Sequence, residues 1–332
     1  MSEVTATDLY EVTMALSYLR EDMRAPAAFS LFVRDLPPGR GFLVAAGLEP
    51  ALDHLARFRV SRADVEEFAN ALRRPAADLE PLRGLRFDGE VRAVPEGRLV
   101  LAGEPLLEVT APLPQAQLVE THLLSLLCHQ TAVASKAARC VLAADGRPLV
   151  DFSLRRTHGP GAGMQAARLC ALVGFAGTSN VAAACRYGIP AAGTMAHSYV
   201  ECFPSEERAF RAFARTHPGP VTFLVDTYDT GRGVATAARV FADLGLAGGC
   251  AIRLDSGDLG RSPAGPVPRS TRRVWRTSGS SRAAVWTSTG WTGWCGRARR
   301  STRTPSARRS ARPPTRRTWT PRTSWSSTTA GP

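Results

Sequence analysis

The chain has 332 residues, with 42 Lys and Arg against 29 Asp and Glu, so its formal net charge is +13. That charge is unevenly placed, because residues 261–332 hold 16 Arg and all six Trp but no Asp, Glu, Lys, Leu, Ile, Phe or Tyr. Removing these 16 Arg leaves 26 basic against 29 acidic residues, so residues 1–260 carry about −3 and the basic character belongs to the tail alone.

Simple features of the sequence argue against several classes of protein. No stretch approaches the apolar length of a membrane span, which is about 20 residues. The first residues, MSEVTATDLYEVTMALSYLRED, are acidic and amphipathic rather than signal-like. The seven Cys show no CxxC or Cys/His ligand spacing, which favours buried reduced thiols over disulfides or zinc ligands. We therefore expect a cytoplasmic protein that does not enter a membrane.

Residues 1–130 predict an α+β domain. Its first helix is expected at Leu9–Leu19, and short strands are expected at Ala28–Val33 and Arg98–Leu101. Pro37-Pro38-Gly39 is a turn signal after the first of these strands.

Residues 131–260 alternate between amphipathic helices and short apolar strands. Helices are predicted at Thr131–Ala144, Ala162–Val173, Ser205–Thr216 and Val234–Leu244, and strands at Pro148–Phe152, Ile189–Ala192, Val221–Val225 and Cys250–Leu254. This alternation is typical of βα units around a parallel sheet, so we predict the first part of a βα-barrel catalytic domain.

The tail, residues 261–332, has two interpretations. Arg can neutralise nucleic-acid phosphates and Trp can stack on bases. Alternatively, its alphabet is what a GC-rich gene yields when it is read one base out of register: ATC GTC GCG AGC GGC GGT CTG GAC GAG TAC read one base late gives Ser280–Thr289, whereas its own frame encodes IVASGGLDEY. We favour the frameshift, expect the tail to be disordered, and consider nucleic-acid binding the weaker interpretation.

Polar residues follow the predicted strands of residues 131–260 directly. They are Arg155 and Arg156, Thr194 and His197, Asp226 and Asp229, and Asp255 and Asp258. The turn Gly177–Asn180 adds a helix start among them. Because the carboxyl ends of barrel strands converge on one face, we expect these groups to meet.

Their chemistry is that of a phosphate site. Arg155 and Arg156 can bind phosphate oxygens in a forked geometry, and the Gly177–Asn180 turn can offer backbone N–H groups to an anion. Carboxylates among them suit a hydrated Mg²⁺. The sequence thus predicts a site for a phosphorylated, metal-bound small molecule.

Each residue also has a purely structural interpretation. His197 can be a hydrogen-bonded structural histidine, and Asp226 or Asp229 can cap a helix. The pair Arg155-Arg156 can be a solvated surface pair, and Tyr10 can be a core residue of the first helix. Their shared position after strands favours the functional interpretation.

Several long motifs in order resemble the nicotinate phosphoribosyltransferase family from Thr7 to about Leu259. They are Thr7-Asp8-Leu9-Tyr10, the segment Phe29–Gly47, Glu104–Leu107, Ser135–Arg139, FSLRRTHGP, GFAGTSNV, GTMAHS, VDTYDT and RLDSGDL. The resemblance implies a type II phosphoribosyltransferase-like α/β fold: an irregular βα-barrel, incomplete here, with an N-terminal α+β domain.

The activity implied by the resemblance is transfer of phosphoribosyl from 5-phosphoribosyl 1-diphosphate to nicotinate. The products would be nicotinate mononucleotide and diphosphate, with coupled ATP hydrolysis, at the salvage entry to NAD biosynthesis. ATP and 5-phosphoribosyl 1-diphosphate would be co-substrates, with Mg²⁺ as cofactor. The partners would be small molecules and a second copy of the chain in a homodimer, without a membrane.

The resemblance also implies roles for individual residues. His197 would be transiently phosphorylated, with Asp226 and Asp255 as catalytic residues and Asp255 binding Mg²⁺. The implied substrate-binding residues are Tyr10, Arg155, Thr178, Ser179, Thr194, Arg253 and Asp258. Tyr10 would stack on the pyridine ring, reaching it from a partner subunit.

The tail departs from the family pattern, in which the segments after RLDSGDL bind the ribose phosphate and complete the barrel. We therefore expect the chain as written to be insoluble or inactive. Two alternatives remain: another type II phosphoribosyltransferase acting on quinolinate or nicotinamide, and a non-enzymatic product whose basic tail binds nucleic acid.

Overall fold

The computed structural model describes residues 2–36, 39–246 and 249–255, together with the backbone of a strand at Thr323–Thr328. These residues form two compact units, whose boundary falls between Ala138 and Arg139. The boundary predicted at residue 130 lies eight residues earlier. Asp258 and most of the tail lie outside the described residues. No helix in the described part of the chain has both the length and the apolar character needed to cross a membrane.

The first unit combines helices with short antiparallel strands. Its helices are α1 (Leu9–Arg20), α2 (Leu48–Arg57), α3 (Arg62–Leu72), α4 (Leu113–Leu118) and α5 (Glu120–Ala144), which runs on into the second unit. Its strands before α5 are β1 (Pro26–Val33), β2 (Leu43–Val44), β3 (Glu90–Ala93), β4 (Leu99–Val100) and β5 (Pro105–Pro112). The mixture agrees with the predicted α+β character.

The core of the first unit lies where α1 and the sheet β1-β5-β3 bury their apolar residues. In β1, alternate residues such as Phe29 and Leu31 are buried, which is the period-2 pattern of a strand with one covered face. Val12 and Leu16, four residues apart on α1, belong to the same apolar cluster. Helix α1 and strand β1 therefore form where the sequence predicts them.

Helices α2 and α3 are additional to the sequence-based prediction. Helix α3 begins with a capping box, in which the Ser61 hydroxyl accepts a hydrogen bond from the Asp64 N–H and the Asp64 carboxylate accepts one from the Ser61 N–H. That signal, S-x-x-D before an apolar pattern, was available in the sequence.

The tail contributes strand β10 (Thr323–Thr328), which pairs antiparallel with β1. The register places Ala28 opposite Thr328 and Val33 opposite Thr323. The structure therefore differs at these six residues from the expected disordered tail. Ser and Thr with a central Trp can extend along the open edge of β1, because an edge strand presents unpaired N–H and C=O groups.

The second unit alternates strands and helices in chain order. Its elements after α5 are β6 (Val150–Asp151), α6 (Pro160–Leu172), β7 (Gly177–Thr178), α7 (Val181–Tyr187), α8 (His197–Glu201), α9 (Glu206–Thr216), β8 (Thr222–Leu224), α10 (Thr230–Asp243) and β9 (Ala251–Arg253). Strand β6 pairs parallel with β7, and β8 pairs parallel with β9. The predicted βα alternation with parallel pairing is confirmed for these strands.

The segment Gly177–Asn180 leads into a helix as predicted, because Asn180 is the N-cap of α7 and its side chain accepts a hydrogen bond from the Ala183 N–H. The first two residues of that segment, Gly177 and Thr178, form strand β7 rather than a turn. One strand prediction was wrong. The strand predicted at Ile189–Ala192 is reduced to a single parallel bridge between Ala191 and Thr178. Pro190 has no N–H for a longer ladder, so the pairing stays short.

Three phenylalanine rings pack the second unit around β8. Phe223 on β8 stacks on Phe210 of α9 and on Phe241 of α10, with ring centroids 4.7 Å apart in both pairs. All three side chains are buried. This stack fixes the helices on either side of the strand that leads into the polar region described below.

Gly233 marks a close approach of α10 to the chain after β8. A Cβ at Gly233 would lie 2.1 Å from the Val225 carbonyl oxygen, whereas one at Gly231 on the same helix would meet only the Asp229 carboxylate, at 3.4 Å. We expect Gly233→Ala to lower the free energy of unfolding by about 1–3 kcal/mol, as overpacking does.

Urea denaturation followed by circular dichroism checks this, with Gly231→Ala as the matched control. The control should keep or raise stability, since Ala is favoured over Gly in helices by up to ~1 kcal/mol. Equal midpoints for the two variants would contradict the inferred contact.

Candidate active site

His197 is the first residue of α8, and its ring is held at one edge by a hydroxyl. Its Nδ1 lies 3.1 Å from Thr227 Oγ1. Its Nε2 faces two carboxylates, 4.0 Å from Asp226 Oδ1 and 3.9 Å from Asp255 Oδ2. The His197 side chain is 37% exposed and that of Asp226 only 2%. The imidazole is therefore partly open to solvent, while its Nε2 faces the carboxylates of Asp226 and Asp255.

Asp226 and Asp255 meet because β8 and β9 are parallel and in register. Leu224 pairs with Arg253, and each aspartate follows its strand two residues later. The Asp255 N–H then donates a hydrogen bond of 2.7 Å to Asp226 Oδ2. Adjacent parallel strands thus bring together two carboxylates that are 29 residues apart in the chain.

Arg253 connects Asp255 to the loop that carries Thr194. Its Nη1 donates to Thr194 Oγ1 at 2.9 Å, and its Nη2 donates to Asp255 Oδ1 at 3.0 Å. The guanidinium lies over the Phe152 ring, with Cζ 5.2 Å from the centroid. Arg253 is buried, and its Nε has no hydrogen-bond partner in the described part of the chain. A buried, paired cation of this kind holds the carboxylate beside it in a fixed orientation.

A second polar group lies at the ends of β6 and β7. The Thr178 hydroxyl donates to Asp151 Oδ2 at 2.8 Å, and the Ser179 N–H donates to the Asp151 carbonyl oxygen, also at 2.8 Å. Asp151 and Thr178 are buried, whereas Ser179 is partly exposed. The Thr178 hydroxyl is thus used within the protein, and contact with a substrate at Ser179 and Thr178 stays a prediction.

The remaining strand-end residues have simpler surroundings. Arg155 is exposed in a short 3₁₀ turn, Leu154–Arg156, that follows β6. Asp229 caps α10, because its carboxylate accepts a hydrogen bond of 2.8 Å from the Arg232 N–H. The structural interpretation is therefore correct for Asp229.

Tyr10 belongs to the first unit and is described there by itself. It is the second residue of α1 and is 45% exposed, so it is not a core residue. Its hydroxyl is hydrogen-bonded to Glu120. Partial burial, together with the charges of Glu120 and Glu11, raises the pKa of the Tyr10 phenol above its usual range. An exposed, neutral aromatic ring held at its hydroxyl can serve as a stacking surface.

Glu11 is the next residue of α1, and its hydrogen bonds link this helix to the start of α5. Its Oε1 accepts hydrogen bonds from the Thr121 N–H at 2.8 Å and the Thr121 hydroxyl at 2.5 Å, and its Oε2 accepts one from the Thr7 hydroxyl. Glu11 is fully buried, and burial raises the pKa of its carboxyl group. Burial also raises the pKa of neighbouring Glu120.

The structure adds three residues that the sequence analysis did not select: Asp151, Thr227 and Glu11. Asp151 lies inside the predicted strand Pro148–Phe152, so a carboxylate in an apolar run was its signal. Thr227 lies in VDTYDT, beside Asp226. Glu11 had no comparable signal, because an acidic residue in the first turn of a helix is ordinary.

Comparison with known proteins gives two adjacent family matches. Residues 5–128 match the N-terminal domain of nicotinate phosphoribosyltransferase, and residues 148–262 match the nicotinate phosphoribosyltransferase family. The chain is 46% identical over 285 residues to the nicotinate phosphoribosyltransferase pncB2 of Mycobacterium tuberculosis, covering 86% of this chain and 60% of that protein. The chain belongs to the nicotinate phosphoribosyltransferase family.

Other relatives agree with this membership. A nicotinate phosphoribosyltransferase of Bacillus subtilis is 43% identical over 256 residues, covering 76% of this chain and 52% of that protein. The crystal structure of human nicotinic acid phosphoribosyltransferase superposes with a TM-score of 0.68 at 36% identity, over 77% of this chain and 62% of that one.

A nicotinate-nucleotide pyrophosphorylase from Pyrococcus furiosus, at 23% identity, shares the fold with a TM-score of 0.63, over 82% of this chain and 62% of that one. The α/β fold of type II phosphoribosyltransferases is thereby confirmed. This member of the family spans about 60% of the length of the M. tuberculosis relative.

The buried Glu11 predicts a specific pH dependence of stability. A carboxyl group whose pKa is higher in the folded state than in the unfolded state binds protons more readily when folded, so its contribution to stability falls as pH rises above the ordinary glutamate value of about 4.3. We expect Glu11→Gln to remove this loss, so the stability of wild type relative to the variant should decrease between pH 4 and pH 7.

Urea denaturation at several pH values measures the difference. Glu21→Gln, which removes an exposed carboxylate at the C-terminal end of α1, is the control and should leave the wild-type profile in place. A Glu11→Gln profile parallel to wild type would show that the buried carboxyl group has no raised pKa.

Proposed function

We propose that this chain carries the machinery of a nicotinate phosphoribosyltransferase, which transfers phosphoribosyl from 5-phosphoribosyl 1-diphosphate to nicotinate with coupled ATP hydrolysis. The products are nicotinate mononucleotide and diphosphate, in the salvage route of NAD biosynthesis. The observation that carries the proposal is His197 positioned by Thr227 with its Nε2 turned toward Asp226 and Asp255, in a chain whose relatives bear that name.

His197 is the proposed phosphoryl acceptor from ATP. When its Nδ1–H donates to Thr227 Oγ1, the lone pair of the neutral ring is on Nε2. A neutral imidazole nitrogen is a competent nucleophile for a phosphoryl group. The His197 side chain is 37% exposed, so ATP can reach the ring.

The two carboxylates opposite Nε2 fit a hard cation. Carboxylate oxygens are the protein ligands that Mg²⁺ prefers, and we propose Asp255, with Asp226 beside it, as the residues that hold it. A bound Mg²⁺ would supply positive charge to the oxygens of a diphosphate. Asp226 also orients Asp255 through the hydrogen bond to its N–H, so loss of Asp226 disturbs both carboxylates.

The remaining residues are proposed to bind substrates. Arg155, exposed after β6, contacts a phosphate or carboxylate, and Thr194, fixed by Arg253, contacts nicotinate. Within the described residues, Arg253 Nε and the buried Asn180 Nδ2 have no hydrogen-bond partner, and a bound anion would satisfy both donors. Loss of diphosphate leaves an oxocarbenium-like ribose, so positioning and charge stabilisation are the main tasks of these groups.

The proposed substrate contacts also include Tyr10, Ser179, Thr178 and Asp258. Tyr10 is proposed to stack on the pyridine ring across a homodimer interface, which its exposed ring allows. We further propose that the protein works in the cytoplasm on small molecules.

The direct test is product formation by two proteins, the 332-residue chain and a frame-restored version in which the codons after Gly260 are returned to the other reading frame. Each is incubated with 5-phosphoribosyl 1-diphosphate, ATP and Mg²⁺ and either nicotinate, quinolinate or nicotinamide, and mononucleotide is measured by chromatography. We expect the frame-restored protein to convert nicotinate and the 332-residue chain to be inactive or insoluble.

Turnover of quinolinate or nicotinamide in preference to nicotinate would replace the proposed substrate. If the frame-restored protein converts none of the three substrates, the proposed phosphoribosyltransferase activity is refuted. Activity of the 332-residue chain would overturn the expectation that its tail abolishes catalysis and would keep the proposed function.

Phosphorylation of His197 is tested separately with radiolabelled ATP. We expect acid-labile, alkali-stable label on the frame-restored protein, and its loss in His197→Asn. His217→Asn, which changes an exposed histidine at the C-terminal end of α9, is the matched control and should keep the label. Label that persists in His197→Asn would assign the phosphoryl group to another residue.

A further inference from the structure

Three metal-ligating side chains converge in the first unit, in a cluster that the proposed reaction does not use. Glu3 precedes α1, His54 lies in the last turn of α2, and His122 lies in the first turn of α5. One carboxylate oxygen of Glu3 and one ring nitrogen of each histidine all lie within 4.8 Å of one another. Three separate segments thus meet at these ligand atoms.

His54 is the centre of the cluster. Its residue is only 3% exposed, and its ring stacks on that of His122 with centroids 3.6 Å apart and planes 8° apart. Its Nδ1 lies 3.6 Å from Glu3 Oε2. Its Nε2 is buried and has no hydrogen-bond partner in the described residues. A buried polar nitrogen without a partner carries a desolvation cost that calls for an explanation.

The charges around the cluster suit a cation. Glu3 supplies a negative charge. Arg57, whose Nη2 is 3.9 Å from Glu3 Oε2, is the cation that competes for this carboxylate.

We propose that Glu3, His54 and His122 form a binding site for a divalent transition-metal ion, with Zn²⁺ as the best match. Two imidazoles and one carboxylate are a regular protein ligand set for Zn²⁺, which completes its coordination with water. Mg²⁺ and Ca²⁺ prefer oxygen ligands and match this set poorly. The site is separate from the His197 cluster, which belongs to the other unit.

Binding requires a rearrangement of the two histidine rings. Ligand atoms about 2.1 Å from a tetrahedral ion lie roughly 3.4 Å from each other, so the three atoms must draw together. Parallel stacked imidazoles direct their lone pairs side by side, so the rings must rotate until both lone pairs point at one ion. Loss of the His54–His122 stack is therefore a signature of binding that a purely structural histidine pair does not give.

The consequence of binding is local order in the segment before α1. A metal held by Glu3, His54 and His122 clamps that segment to α2 and α5. Its anchor on α5 is two residues from Glu120, which holds the Tyr10 hydroxyl. The site therefore ties the segment before α1 to α5, the same helix whose Glu120 holds Tyr10 in the first turn of α1.

The test uses the frame-restored protein defined above, because the 332-residue chain is expected to be insoluble or inactive. The protein carries no affinity tag, and Zn²⁺ alone is the probe. The background is Cys185→Ser with Cys202→Ser, because these exposed thiols would otherwise bind the metal. Isothermal titration calorimetry at pH 7 in a non-chelating buffer should give one Zn²⁺ per chain once His197 is also replaced by Asn, because the cluster of His197, Asp226 and Asp255 is a second place where Zn²⁺ can bind. We expect His122→Gln and His54→Gln to weaken binding at least 10-fold and Glu3→Gln to weaken it less, while His217→Gln leaves it unchanged.

A second measurement keeps the test decisive if His54→Gln fails to fold. Proton NMR of the histidine ring resonances should show that Zn²⁺ shifts those of His54 and His122 together and leaves that of His217 in place. One-to-one binding that is lost in His122→Gln, with circular dichroism unchanged, supports the site. Absence of saturable binding, or equal affinity in His122→Gln and His217→Gln, overturns it.

Discussion

The parallel pairing of β8 with β9 is the constraint on which the candidate active site depends. This register brings Asp226 and Asp255 to the same end of two neighbouring strands, close enough for a backbone N–H of one to bond the carboxylate of the other. His197 can then face both carboxylates at once, and the ion pair of Arg253 with Asp255 neutralises part of their charge. The stack of Phe223 with rings of α9 and α10 holds β8 in place, so apolar packing and site geometry are coupled.

The two units bury charged groups in different ways. In the second unit, the buried Arg253 cation is paired with a carboxylate and a hydroxyl, which offsets the cost of removing charges from water. In the first unit, the buried Glu11 carboxyl group is held by hydroxyl and amide donors of Thr7 and Thr121, and its raised pKa records the remaining cost. Glu11 is next to Tyr10 in α1. Each buried charged group therefore lies beside a residue that the proposed reaction needs, Asp255 in the second unit and Tyr10 in the first, and is held by several hydrogen bonds.

The site could be predicted only in part from the sequence. His197, Asp226 and Asp255 were selected because each follows a short apolar run, and the parallel strands bring them together. Asp229 shows the limit of that rule, since it also follows a strand but caps a helix. Position after a strand predicts that a side chain is near the site, but the local hydrogen bonds decide whether it faces a ligand.

The sequence by itself determined the βα alternation of the second unit, helix α1, strand β1 and family membership, because apolar periodicity and long ordered motifs are local properties of the chain. The tertiary structure alone decided the lengths of the strands, the replacement of the Ile189–Ala192 strand by one bridge, the pairing of β10 with β1, and the meeting of Glu3, His54 and His122. Those features depend on contacts between segments far apart in the chain. The pattern of one segment does not show which other segment pairs with it. It therefore cannot predict where a strand ends, which strand covers an edge, or which histidines meet.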